Sequence, residues 1–150
     1  MRKGLTSATA ALGVALAIGL TTSAALASTT TTRHVRLTFL GAPVRPGENV
    51  YDVRGTGFRG AAVQVIKVNK AGTAGTDTVT AYDGHGTTVA ADAFTLSGPD
   101  KHGIIKIKGS GHFVRGTGKY AHISGHYTFT GTQDTGTLVI KVIATGTESY

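Results

Sequence analysis

The sequence predicts an all-β domain: an eight-stranded antiparallel up-and-down β-barrel, with a two-sheet β-sandwich as the alternative. Three observations lead there. Glycine occurs 22 times and threonine is abundant. Glycine inside a helix costs about 1 kcal/mol, whereas threonine, stiff at χ1, suits a pleated surface. No stretch after residue 27 keeps a 3.6-residue apolar period, and short alternating segments separated by glycine turns recur instead.

The first segment, residues 33–40 (RHVRLTFL), puts Val35, Leu37 and Phe39 on one face and His34, Arg36 and Thr38 on the other. Residues 61–68 (AAVQVIKV) are apolar on both faces, as expected of a central strand. Residues 76–82 (TDTVTAY) and 87–96 (TTVAADAFTL) follow, then 103–108 (GIIKIK), 111–115 (GHFVR), 123–130 (ISGHYTFT) and 135–144 (TGTLVIKVIA). Each is near ordinary strand length. The connections carry turn-forming residues at Pro46-Gly47, 69–72, Asp83-Gly84, Gly98-Pro99-Asp100 and 133–136. Closing such a series into a barrel removes exposed edges and leaves an interior able to hold one small ligand.

The chain begins with a different kind of segment. Arg2 and Lys3 precede an apolar run at residues 10–20 (AALGVALAIGL), and Ala25-Leu26-Ala27 reads as a small-residue cleavage site. The expectation is a secretory signal peptide over residues 1–27, cleaved after Ala27, and a secreted product. The apolar run is shorter than the ~20 residues that span a bilayer, so no stable membrane insertion is expected. Residues 28–32 (STTTT) form a polar, flexible lead-in, and residues 33–150 form one domain.

Removing 27 of 150 residues leaves 123, and the loss of Arg2 and Lys3 lowers the formal charge from +7 to +5. The remaining charges are scattered, which argues against nucleic acid as a partner. With no cysteine, there is no disulfide, thiolate nucleophile or thiolate metal site.

Late in the domain, Thr95-Leu96-Ser97-Gly98 leads into an apolar segment. Phe113-Val114-Arg115, the string Gly116-Thr117-Gly118-Lys119-Tyr120-Ala121, Ser124-Gly125 and Tyr127-Thr128-Phe129-Thr130 follow. This arrangement resembles the allene oxide cyclase barrel-like and dirigent-like families, over roughly residues 60–132. The resemblance implies an eight-stranded barrel with a largely apolar central cavity, often trimeric, whose characterised relatives are cyclases or guides of radical coupling. Their catalytic positions fall outside the matching part. Gly116, Gly118, Tyr120 and Gly125 are therefore expected to serve architecture: glycine for positive φ and close strand approach, Tyr120 to pin a turn.

Candidate chemistry rests on parity. Asp92 shares its face with Phe94 and Leu96, Asp77 with Val79 and Ala81, and Arg115 with Phe113. All three are expected to point inward, where a desolvated carboxylate has the raised pKa that acid–base catalysis needs. A structural ion pair between Asp92 and Arg115 is the alternative. Six histidines (His34, His85, His102, His112, His122 and His126) raise the question of a metal. His122 and His126 lie on the polar face and ~13 Å apart on one strand, so no metal site is expected, and no cofactor either. Gly55-Thr56-Gly57-Phe58-Arg59-Gly60 fits a G-x-G-x-x-G pattern but opens no helix, so it is no phosphate loop. The expected partner is a small apolar molecule, bound with or without isomerase or cyclase turnover; a structural or adhesive protein is the other alternative.

Two strings repeat. VRGTG occurs at residues 53–57 and 114–118, and VIKV at 65–68 and 139–142. Their separations of 61 and 74 residues differ, so a half-barrel duplication is not expected.

Overall fold

The computed structural model describes residues 31–150. The signal peptide expected at 1–27, and residues 28–30 of the lead-in, lie outside the described residues. Eight strands follow one another: β1 (Thr32–Arg45), β2 (Glu48–Gly55), β3 (Phe58–Val68), β4 (Ala74–Asp83), β5 (Gly86–Leu96), β6 (Ile104–Gly116), β7 (Ser124–Asp134) and β8 (Ile140–Ser149). Every consecutive pair is antiparallel, and β1 also pairs with β8, closing a barrel in the order β1 to β8. The two-sheet sandwich is excluded.

The count of eight holds, but its composition differs from expectation. Residues 48–55, read as a connection, form β2. Tyr51 and Val53 face the core while the preceding Val50 is exposed, so adjacent apolar residues hide the alternation. Residues 103–108 and 111–115, read as two strands, merge from Ile104 onward into the single strand β6. Gly109 and Gly111 do not turn the chain. A Cβ on Gly109 would collide with the Phe129 ring, so the missing side chain makes room for the aromatic opposite. The last strand begins at Ile140, not Thr135. The Asp134 carboxylate accepts the N–H groups of Gly136 and Thr137 and holds residues 135–139 in a turn. Lead-in residue Thr32 already belongs to β1, bonded through its hydroxyl to Ser149.

The two VRGTG copies end strands in the same way. Thr56 N–H donates to the Arg36 carbonyl and Arg36 N–H donates to Thr56 Oγ1. Thr117 N–H donates to the Thr87 carbonyl and Thr87 N–H donates to Thr117 Oγ1. Each copy closes with a left-handed glycine, Gly57 at φ 64° and Gly118 at φ 59°, a conformation glycine adopts without strain. VRGTG thus ends β2 and β6, four strands apart, whereas VIKV lies on β3 and on the start of β8, five apart. No single rotation maps both, which agrees with the absence of a half-barrel repeat.

One pole of the barrel is sealed. After β6 a single 3₁₀ turn (Gly118–Tyr120) folds Tyr120 inward, where it is 1% exposed. Its ring packs against Phe58 at 6.1 Å and Tyr150 at 5.2 Å, and its hydroxyl donates to Asp83 Oδ2 at 2.7 Å. Beside it the buried Glu148 accepts from Arg33 Nε at 2.6 Å, and the guanidinium stacks 5.0 Å from the Tyr150 ring. Burying an aromatic side chain this fully makes truncation costly. Y120A is expected to lose about 3–5 kcal/mol in chemical denaturation, whereas H122A, at an exposed neighbour, changes stability by about 0.5 kcal/mol or less. A Y120A loss below about 1 kcal/mol would show that the ring does not carry the seal.

Candidate functional site

The interior faces of the strands follow from their alternation. β5 buries Thr88, Ala90, Asp92 and Phe94, and β4 buries Asp77 and Ala81. Asp77 and Asp92 therefore point inward, directly opposite one another across the β4–β5 ladder. Arg115 does not join them. The β5–β6 register shifts between Val89 and Ala90, which pair with Arg115 and Phe113 respectively, leaving Val114 as an extra residue. Phe113 stays inward, the bulge reverses the parity of the residues after it, and Arg115 is exposed. The expected inward Arg115, and an Asp92–Arg115 pair, are corrected accordingly.

The partners of the carboxyls are neutral and come from other strands. Tyr127 Oη, on β7, donates to Asp92 Oδ1 at 2.6 Å. Gln64 Nε2, on β3, donates to Asp77 Oδ2 at 2.8 Å. Gln64 Oε1 in turn accepts from Tyr51 Oη at 2.6 Å and Asn49 Nδ2 at 2.8 Å, both on β2. Six side chains thus form one polar line across an otherwise apolar interior. Tyr127, Gln64, Tyr51 and Asn49 were not marked as site residues by the sequence: Tyr127 reads as an apolar-face aromatic, and its partner lies 35 residues away.

Glycine makes the Asp92–Tyr127 contact possible. One cross-strand row runs Asp77, Asp92, Gly111, Tyr127, Gly146. Gly111 stands between Asp92 and Tyr127, and a Cβ there would strike both Asp92 Oδ1 and the Tyr127 ring. With no side chain in that place, the carboxylate reaches across β6 to the phenol.

Burial is the main reason both carboxyls hold protons far above the ordinary carboxylate range. Asp77 is pushed up to about 7 by desolvation and then by the charge of Asp92, against the Gln64 hydrogen bond. Asp92 is pushed up to about 6 by desolvation, opposed by hydrogen bonds from Tyr127 and Asp77. Facing each other across the ladder, the two carboxyls titrate as a pair, and the first proton lost belongs to both. Asp77 Oδ1 is buried and has no donor facing it. A proton on that oxygen removes the charge that burial leaves without a partner. Nearby, burial pushes the Tyr51 hydroxyl up to about 12, so it remains a donor.

Asp92 forms part of the wall of a cavity of about 160 Å³. Phe39, Phe94, Phe129, Ile66, Ile107 and Val142 give it an apolar lining. Val68, Leu96 and Gln133, at the strand ends remote from Tyr120, mark its mouth. A cavity of about 150 Å³ is enough to take benzene. Toward the sealed pole a smaller void of about 40 Å³ reaches Phe58 and Glu148, with Tyr127 bordering both spaces.

The structural-hallmark residues lie away from this cavity, at the sealed pole. Gly118 and Gly125 have φ of 59° and 131°, and a Cβ on Gly116 would collide with the Tyr120 carbonyl. His126 lies on the outer wall, directly across from His112. Among the described residues, no group of three His, Cys, Asp or Glu side chains could hold a metal ion. Comparison with known protein families, curated proteins and solved structures finds no match to this chain.

The raised carboxyl pKa values fix the sign of a stability profile. Between about pH 4 and pH 7 the folded barrel binds more protons at Asp77 and Asp92 than the unfolded chain does. Stability from this pair is therefore full below pH 4 and falls as pH rises to 7. Denaturation midpoints across that range are expected to show this decline, and the D77N/D92N double variant to flatten it. An unchanged slope in the double variant would place the effect elsewhere.

Proposed function

We propose that this chain is a secreted β-barrel that binds a small, mainly apolar molecule in its interior. The observation that carries the reading is the cavity of about 160 Å³, with its apolar lining and a mouth at the pole opposite Tyr120. Concave, mostly apolar sites with a few placed polar groups are where proteins take small molecules. Export is supported by the basic, apolar and small-residue pattern of residues 1–27. Benzene tests the cavity directly. In an NMR titration, amide shifts are expected at Phe94, Gly109 and Phe129, and A144F, which fills the space beside Phe129, is expected to remove them. Saturating benzene without those shifts would overturn the reading.

Turnover is a second reading, favoured by one further observation: Asp92 borders the cavity and its carboxyl titrates near neutrality. A group poised near working pH is suited to proton transfer, as the isomerase or cyclase chemistry implied by the family resemblance requires. Arg115, exposed on the outer wall, has no part in it. The probe 1,2-benzisoxazole opens when a base removes its ring C–H proton and the N–O bond breaks. Its opening is expected to exceed the buffer rate, to rise with pH through 6–7, and to fall at least tenfold in D92N. A rate equal to buffer across that range argues for binding alone.

A further inference from the structure

The cavity has an unbalanced charge. Asp92 is the carboxyl on its wall, with Asp77 directly across the β4–β5 ladder. No Lys, Arg or His lines the cavity. The groups that bond the two carboxyls are neutral: the Tyr127 hydroxyl and the Gln64 amide. The nearest buried carboxylate toward the sealed pole, Glu148, has its own cation in Arg33. Once the aspartate pair gives up one proton, a negative charge remains inside an apolar barrel with hydrogen bonds but no counter-ion. Such a charge is unfavourable unless paired.

The walls around that charge are aromatic. Phe39, Phe94, Phe129, Tyr51 and Tyr127 all line the same space, and ring faces attract cations, most strongly where water is excluded. An alcohol could only add one more neutral hydrogen bond. A carboxylate would bring a second negative charge. An ammonium supplies the missing counter-ion and donates to Asp92, while its apolar body occupies the benzene-sized remainder.

Resting on the cavity-binding reading above, we infer that the ligand class is a compact hydrophobic amine: an ammonium group on an aromatic or branched aliphatic body, the cation seated on Asp92 and the body among Phe39, Phe94 and Phe129. The positive net charge of the chain does not oppose this. Its Lys and Arg side chains are scattered along the sequence, and salt screens exposed charges beyond about 8–10 Å.

A matched series tests the class. Benzylamine, benzyl alcohol and benzoate present the same ring with a positive, neutral or negative head. NMR titration at pH 8 is expected to give benzylamine at least tenfold tighter binding than benzyl alcohol, with benzoate weakest. Benzylamine affinity should rise from pH 5 to pH 8, as the pair loses protons, and the alcohol should show no such rise. The titratable groups facing Asp92 are Asp77 on β4 and Tyr127 on β7, with Tyr51 on β2 next in the line; on the outer wall, His34, His112 and His126 line a pocket that Asp92 also borders. The H34Q/H112Q/H126Q chain carries the same series, so that the exterior imidazoles are not mistaken for the pair. D92N is expected to bring the amine-to-alcohol ratio close to one. If D92N fails to fold, the wild-type pH series decides instead. Alcohol binding equal to or tighter than amine binding at pH 8 overturns the amine inference and leaves the cavity reading standing. Failure of all three compounds to shift the cavity amides overturns both.

Discussion

The ladder between β1 and β8 is the contact on which the rest depends. It pairs the chain's first strand with its last, from Thr32 opposite Ser149 to Gly41 opposite Ile140. Without it the eight strands would be a long sheet with two unpaired edges and one apolar face lacking a cover. With it, every strand has two neighbours, and inward residues from all eight elements share one enclosed volume. Closure is also what brings β2, β3, β4, β5 and β7 around one interior, so that Tyr51, Gln64, Asp77, Asp92 and Tyr127 can form a hydrogen-bonded line.

That enclosed volume sets the electrostatics. A carboxyl in water ionises near pH 4. Two of them facing each other on adjacent strands, walled by phenylalanine and isoleucine, share a proton instead. The barrel contains this unfavourable arrangement because its cost is local and the surroundings resist collapse. Glycine at 111 and 146 leaves room for Tyr127 to lie along the wall, and the phenol and the Gln64 amide hold the acids in place. Placing polar groups where a packed core would be more stable is a common mark of a site shaped by something other than stability.

Much of this was legible in the sequence, and the parts that were not have identifiable causes. Strict alternation in Val35-Arg36-Leu37-Thr38-Phe39 places the inward face of β1, and shared parity with Phe94 and Leu96 places Asp92 on that of β5. Asp77 follows by the same parity with Val79 and Ala81. Arg115 was misread because one extra residue, Val114, turns the rest of β6 over, and a bulge leaves no mark on a pattern of period two. Gly109 and Gly111 look like turn residues, yet each is small because a large side chain on a neighbouring strand fills its place. Leu138 and Val139 look like strand, but a carboxylate turn at Asp134 leaves them exposed. The links from Tyr127 to Asp92 and from Gln64 to Asp77 join residues far apart in the chain, so their pairing depends on register, which local periodicity does not reveal.

The place where β1 starts and β8 ends has a practical meaning. Thr32 and Ser149 meet beside Arg33, Glu148 and Tyr120, at the pole that aromatic packing seals. The cavity mouth lies at the other pole, among Val68, Leu96 and Gln133. Chain that continues from the start of β1 or the end of β8 therefore leaves the barrel at its back, and neither strand end obstructs the entrance.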